Sequence, residues 1–409
     1  MKLFQSFFLI VGTLSLYSGM GCFYSFQLVQ PETFNDSVNA QVIIDYTNTY
    51  ETDFKNNNNK IESNEKIEQE EEINIVMNSN LREDNPQEVS EVKNTLKKSS
   101  FLDYLEKNDN YKSSKAKVVI EKNLYVPLPK YTKGIYLHNF TGLSAEKLKT
   151  FINKAKENDL NTFVIDVQKK MIPKENIDLV KKAGIFPVAR VVVFEGGLKK
   201  KTPDLNYIKH IVQLIEDSAI QGFQEVQLDY IRYADIPELL SLPLKYKYDV
   251  ISSILKMAKQ KANELGILLS ADVFGRITLN THDHIGQKLE NFAVYMDTLY
   301  PMVYPSHYTN DPARISNPYG TVKEGVLNSK QRLSNTRIVA YIQGFDMKID
   351  SSKLTMDEYI KSQIEAVRDA KGDGWIIWNP RNQYEPSFTA MRKFAVENNG
   401  QIYNVKRNK

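Results

Sequence analysis

The sequence predicts an α/β protein, a (β/α)8 TIM barrel preceded by a signal or lipoprotein segment and a disordered spacer. Three observations carry this. From residue 131 onward, short β-rich apolar runs alternate with longer amphipathic segments, the pattern of parallel βα units. Eight runs of each kind fit into roughly 270 residues, the count and length of a closed barrel. Composition also changes at that boundary: residues 23–130 carry 13 Lys+Arg against 19 Asp+Glu, and residues 131–409 carry 39 against 31.

The chain opens with Met1-Lys2 and an apolar run from Leu3 to Leu16, followed by the small residues Ser18, Gly19 and Gly21. This is the layout of a signal peptide over 1–22, and the run is too short to span a bilayer. The single cysteine, Cys22, follows Gly21 directly. Ser18-Gly19-Met20-Gly21-Cys22 resembles a loose lipobox, departing from the usual pattern in having Gly19 three positions before the cysteine. The expectation is export, with lipidation at Cys22 holding the protein at a bacterial membrane, on its periplasmic or surface face. A lone cysteine excludes an internal disulfide, and no Cys/His spacing matches a structural zinc site.

Residues 23–130 include Asn56-Asn57-Asn58-Asn59 and Glu68-Gln69-Glu70-Glu71-Glu72 and lack sustained periodicity. Such a composition buries too little apolar surface to offset ordering entropy, so the segment reads as a mostly disordered spacer. Val126-Pro127-Leu128-Pro129 forms an extended lead into the barrel domain at 131–400. A basic tail, 401–409, ends the chain.

Strands are expected at 134–139, 162–167, 185–194, 225–229, 268–273, 298–303, 338–343 and 374–378. Helices are expected near 144–158, 174–183, 204–220, 246–265, 284–292, 322–333, 356–371 and 387–398. An open doubly wound sheet would want G-x-G-x-x-G after its first strand, and none is present.

A barrel places its chemistry at the C-terminal ends of its strands. There the sequence puts Asp166, Glu195, Asp229 with Tyr230 and Arg232, Asp272, then Tyr304, His307 and Tyr308, then Gln343, and last Trp378 and Asn379. Paired carboxylates among aromatic side chains suit glycoside hydrolysis, in which one carboxyl protonates the leaving oxygen and the other attacks or activates water. Asp229 and Asp272 lie on neighbouring strands about 4.8 Å apart, close enough to form such a pair. Arg232 is the expected ion partner that keeps one acid charged. The remaining rim residues are candidate sugar contacts. Trp375 and Trp378 point to opposite faces of their strand, so one of them at most faces sugar.

Five segments occur in order: Val226-Gln227-Leu228-Asp229-Tyr230-Ile231-Arg232-Tyr233, Ser270-Ala271-Asp272-Val273-Phe274-Gly275, Ile285-Gly286-Gln287-Lys288-Leu289-Glu290, Pro301-Met302-Val303-Tyr304-Pro305-Ser306-His307-Tyr308 and Asp373-Gly374-Trp375-Ile376-Ile377-Trp378-Asn379. Over 133–398 this series resembles the DUF4015 putative glycoside hydrolase family. The resemblance implies a barrel related to amylase-like glycosidases, with Asp229 as nucleophile and Asp272 as acid/base. Two departures stand out. Gln168-Lys169-Lys170-Met171-Ile172-Pro173 is short and basic where relatives tend to have a longer acidic loop. Gln343-Gly344-Phe345 stands where relatives often read Gln-Asp-Phe, with Asp346 as a replacement two positions on.

His282-Asp283-His284 is a weak metal motif, and a helix start with Asp283 at the cap is the simpler reading. The lysines of the barrel are spread over its helices without a nucleic-acid motif, so no nucleic-acid partner is expected. The expected partner is a carbohydrate polymer or oligosaccharide. No cofactor and no metal are called for. The sequence thus points to a glycosidase acting through paired carboxylates, the alternative being a non-catalytic glycan-binding surface lipoprotein on the same fold.

Overall fold

The computed structural model describes residues 124–397; the signal segment, Cys22, most of the spacer and the basic tail lie outside the described residues. Eight parallel strands close into a barrel in sequence order, the first pairing with both the second and the eighth. The strands are β1 Thr132–Leu137, β2 Thr162–Asp166, β3 Phe186–Val192, β4 Glu225–Asp229, β5 Leu268–Phe274, β6 Thr298–Met302, β7 Arg337–Gln343 and β8 Gly374–Trp378. The helices that follow them in turn are α1 Ala145–Glu157, α2 Lys174–Lys182, α3 Leu205–Ile220, α4 Leu244–Leu265, α5 Leu289–Ala293, α6 Pro318–Arg332, α7 Met356–Asp369 and α8 Glu385–Glu397. Short helical turns decorate the rim, among them Asn139–Gly142 and Pro305–His307.

Local chemistry fixes the helix starts. Asp204 accepts from Tyr207 N at the head of α3, Thr355 and Glu358 form a capping box on α7, and Asn317 accepts from Gly320 N at the head of α6. Each satisfies an amide that the helix itself leaves unpaired. Asn317 and Pro318 start α6 four residues earlier than the apolar pattern suggests. The segment expected as a helix over 284–292 is helical only over Leu289–Ala293. Asp283 caps no helix: its carboxylate is taken by Arg276 and Asn280, and Gly286 turns the chain with φ +77°.

Strand residues alternate between two packed layers, as a pleat requires. Outward residues such as Phe163, Ala189, Val191 and Leu269 join the helices in the large core, whereas Tyr136, Val164, Phe186, Val188, Tyr300, Val339, Tyr341 and Ile376 fill the barrel. A polar layer crosses this filling. Buried Glu225 accepts from Ser270 Oγ at 2.6 Å and Tyr300 Oη at 2.9 Å, and Gln227 accepts from Tyr341 Oη at 2.9 Å.

The barrel floor is closed by residues that the sequence assigns to the spacer. Val126 is buried within the interior cluster, and its backbone N–H and C=O both bond to the Gln224 side chain, at 3.0 and 2.7 Å. Arg337, the first residue of β7, donates to the Pro129 carbonyl. The packed unit therefore begins before residue 131, since Val126 gives the lower barrel its last apolar contact.

Candidate active site

At the C-terminal ends of the strands a cavity of about 390 Å³ opens between aromatic walls. Its base is set by strand register. Asp166 lies opposite Arg190, and Asp229 and Asp272 sit level, one step past the paired Leu228 and Ala271. Inward alternation thus brings three carboxylates and one guanidinium together.

Arg190 organises this group. Its Nε donates to Asp229 Oδ2 at 3.0 Å and its Nη2 bonds to the same oxygen. Nη1 reaches Asp166 Oδ1 at 2.6 Å, and Nε lies 4.0 Å from Asp272 Oδ2. The guanidinium also lies 4.9 Å from the centre of the Trp378 ring. The Tyr136 hydroxyl donates to the other Asp166 oxygen, and Asp229 Oδ1 accepts from Tyr230 N at 2.6 Å.

Asp272 is different. It is 1% exposed, and its Oδ1 has no hydrogen-bond partner among the described residues. Burial, and next the Asp229 charge, push its carboxyl well above the ordinary carboxylate range, although Arg190 opposes the shift. Two acids in one site are thereby set in different states, Asp229 in an ion pair and Asp272 favouring the proton, which is the division of labour that acid/base chemistry uses. A shared neighbour at Arg190 Nε caps the separation of the two Oδ2 atoms at about 7 Å, compatible with either the closer or the wider carboxyl spacing of glycosidases.

Of the residues expected from the sequence, Asp229, Tyr230, Asp272, Tyr304, His307, Tyr308 and Trp378 all line the cavity. Tyr230 takes a left-handed conformation, φ 54°, which turns the chain sharply just past Asp229. Burial lowers the affinity of His307 for a proton, so the ring favours its neutral form. Asp166 meets the pair through Arg190. Glu195 is exposed and outside the cavity wall.

Three expectations are corrected. Arg232 is not the ion partner of Asp229: it donates to the Tyr233 carbonyl and covers the Phe274 ring at 4.5 Å, while Arg190 takes the ionic role. Gln343 is fully buried, with its amide spent on Ser306 N and the carbonyls of Phe345 and Met347. Asn379 bonds to the Gly344 carbonyl and to the amides of Arg381 and Gln383. Both residues hold loops together and offer little to a sugar. At Gly344 an added Cβ would lie 2.4 Å from Ile377 Cγ2 and 2.9 Å from the Trp378 carbonyl oxygen, and Asp346 is exposed outside the cavity wall.

The sequence reading missed Arg190, Tyr136 and Tyr341. All three lie inside strands, where attention to strand ends passes over them. The readable signal was one arginine in the otherwise apolar run Phe186–Val192. Each residue of His282-Asp283-His284 is bonded to a neighbour: Thr281 for His282, Arg276 and Asn280 for Asp283, and Asp235 at 2.6 Å for His284, whose Nδ1 also lies 3.9 Å from Asp283 Oδ1. Among the described residues, no three His, Cys, Asp or Glu side chains are grouped to hold a metal ion.

Fold and site together define a TIM barrel with an acid pair at the C-terminal ends of its strands. Residues 201–384 match the family model DUF4015, described as a putative glycosyl hydrolase domain. That is the family the motif series resembles, matched over a shorter span than 133–398; it includes Asp229 and Asp272 but not Asp166 or Arg190. Among solved structures, the endo-beta-1,4-mannanase from Thermotoga petrophila aligns with TM-score 0.52 and 11% identity, over 69% of this chain and 80% of that one. The glycoside hydrolase domain of PgaB (BpsB) from Bordetella bronchiseptica gives TM-score 0.49 and 12% identity, over 64% and 98%. The spore cortex-lytic enzyme SleL of Bacillus megaterium QM B1551 gives 0.46 and 11%, over 65% and 75%. At 11% identity the likeness to the mannanase is one of fold. No curated protein matches the chain.

Proposed function

We propose that this protein is a glycoside hydrolase that cleaves a polysaccharide or oligosaccharide with Asp272 as proton donor and Asp229 as the partner carboxylate. The observation that carries this is the buried, proton-favouring Asp272 carboxyl, whose Oδ1 accepts no hydrogen bond among the described residues, beside an Asp229 held in its ion pair with Arg190. Asp272 gives its proton to the leaving glycosidic oxygen, and Asp229 either attacks the anomeric carbon or takes a proton from the attacking water. Arg190 orients Asp229 and limits charge repulsion between the acids. Tyr304, Tyr308 and Trp378 offer ring faces to sugar C–H surfaces. The test is release of reducing ends from α- and β-glucans, amino-sugar polymers and cell-wall glycan. Turnover lost in both Asp272→Asn and Asp229→Asn supports the reading; turnover unchanged in both removes it.

A second reading, a glycan-binding protein without turnover, draws on one observation. Both Asp229 oxygens are already engaged, by Arg190 and by Tyr230 N, which weakens it as a nucleophile. Saturable binding without product from any polymer in the same assay would favour it.

Export and anchoring through a lipidated Cys22 belong to the same proposal, resting on the basic start, the apolar run and the small residues before the cysteine. Incorporation of labelled palmitate that is lost in Cys22→Ser is the expected result.

A further inference from the structure

Charge around the mouth of the cavity is uneven. Inside, each guanidinium is matched by carboxylates: Arg190 by Asp166 and Asp229, Arg276 by Asp283 and Asp235. Beyond β6, Arg314 is matched by Asp311 and Glu324. The loops after β2 and β3 differ. Lys169 and Lys170 follow β2, Lys199, Lys200 and Lys201 follow β3, and all five are exposed, against Glu195 and Asp204 of opposite sign in the same two loops. Among the described residues, Lys170, Lys199, Lys200 and Lys201 form no ion pair.

The backbone under these lysines is fixed. Asn139 Nδ2 donates to the carbonyls of Asp166 and Lys170, at 2.8 and 2.7 Å. The Gln168 side chain exchanges two hydrogen bonds with the Val192 backbone, binding one loop to the next strand. The Lys201 carbonyl accepts from the Tyr233 hydroxyl at 2.7 Å, and Leu198 bonds to the backbone of both Arg232 and Ala234. An aromatic surface adjoins Lys169: Phe140, 61% exposed, stacks on His138 with ring centres 5.0 Å apart, and the Lys169 ammonium lies 5.6 Å from the Phe140 ring centre.

From the paired charges inside the cavity and from Lys170, Lys199, Lys200 and Lys201 on two anchored loops at the same pole of the barrel, we propose that the glycan carries anionic groups, carboxylate or phosphate, on the units that extend over the β2 and β3 loops, while the reacting unit is uncharged. The proposal deepens the glycosidase reading and rests on it for the path of the chain. Clustered like charge beside an aromatic face raises the local concentration of a polyanion and makes binding fall with salt. A flat membrane is the competing partner for exposed lysines. Their place on loops at the C-terminal ends of the strands, the pole at which the concave, aromatic cavity opens, favours a chain molecule.

The experiment measures binding, so that turnover is a separate readout. The full chain carrying Asp272→Asn is titrated with polygalacturonate, with its carboxyl-reduced uncharged form, with poly(glycerol phosphate) and with vesicles of anionic phospholipid. At low salt, at least one anionic polymer should bind about tenfold more tightly than the uncharged one. Added salt should erase the difference, and the combined change of Lys170, Lys199, Lys200 and Lys201 to Gln should remove it. Preference for polygalacturonate identifies carboxylate, and preference for poly(glycerol phosphate) identifies phosphate. Equal or absent binding of charged and uncharged polymers overturns the proposal, as does binding of the vesicles alone or binding indifferent to the four lysines. Lysine-dependent polyanion binding without turnover by the unmodified chain would sustain this proposal and remove the glycosidase reading instead.

Discussion

Arg190 binds Asp229 Oδ2 through two of its nitrogens while its Nε stays 4.0 Å from Asp272 Oδ2. One cation therefore touches one acid of the pair and only leans on the other.

Arg190→Met should leave Asp166, Asp229 and Asp272 together without a compensating charge. Breaking a buried ion pair from one side costs about 3–5 kcal/mol, and the loss should be largest at neutral and alkaline pH. The sign follows from proton uptake: without the cation the folded-state carboxyls hold protons more tightly, so acid restores part of the stability and base removes it. Chemical denaturation at two pH values measures this.

Asp272→Asn and Asp229→Asn should part in stability while agreeing in activity. Asp272 already favours its neutral form, so its amide fits with little disturbance, and turnover falls by about 10² to 10⁴ through loss of general acid catalysis. Asp229→Asn takes a charge from Arg190 and should lower stability by about 3 kcal/mol. Thermal melts alongside rates make the comparison.

Activity should decline on the alkaline side as Asp272 loses its proton. Its folded-state pKa is raised, so its contribution to stability is complete below the ordinary carboxylate range and is lost as pH climbs through the raised value. The proton donor disappears over the same interval. A pH profile of kcat/KM with its falling limb well above the range of a free carboxyl is the expected result, and Asp272→Asn should lack the matching alkaline loss of stability.

Gly344→Asp, which restores the residue that relatives often carry, should bring no gain in activity. The new Cβ meets Ile377 and the Trp378 carbonyl, and overpacking of this kind costs about 1–3 kcal/mol. A lower Tm without added turnover is expected.

A chain starting at residue 131 should be less stable than one starting at 124. It lacks the buried Val126 side chain and both bonds to Gln224, together worth about 2–4 kcal/mol. Urea denaturation of the two chains gives the difference.

Most of the barrel was legible because its strands are largely apolar, β-branched runs, two of them ending in acids, Asp166 and Asp229, and because most of the amphipathic helices between them keep their period. Asp229 and Asp272 stood out for the same reason, as charges interrupting apolar strands at the chemically active end. Arg190 has a similar signature but sits in the middle of the run 185–194 expected as a strand, and only strand register reveals that it reaches across to β2, β4 and β5. Gln343 and Asn379 show the reverse problem. A polar residue at a strand end can face a ligand or brace a loop, and hydrogen-bond partners distant in the chain decide which. The start of α6 was written in Asn317-Pro318, a cap followed by a residue suited to the first helical position, outside the apolar period used to find helices.

The floor sealed by Val126 carries a consequence for handling. Chain enters the described domain at the N-terminal ends of the strands, and α8, running back from β8, ends on that same pole. Residues 124 and 397 therefore both lie on the underside. A bead or a fused partner joined directly at either of these two residues would sit behind the domain and leave the opening clear.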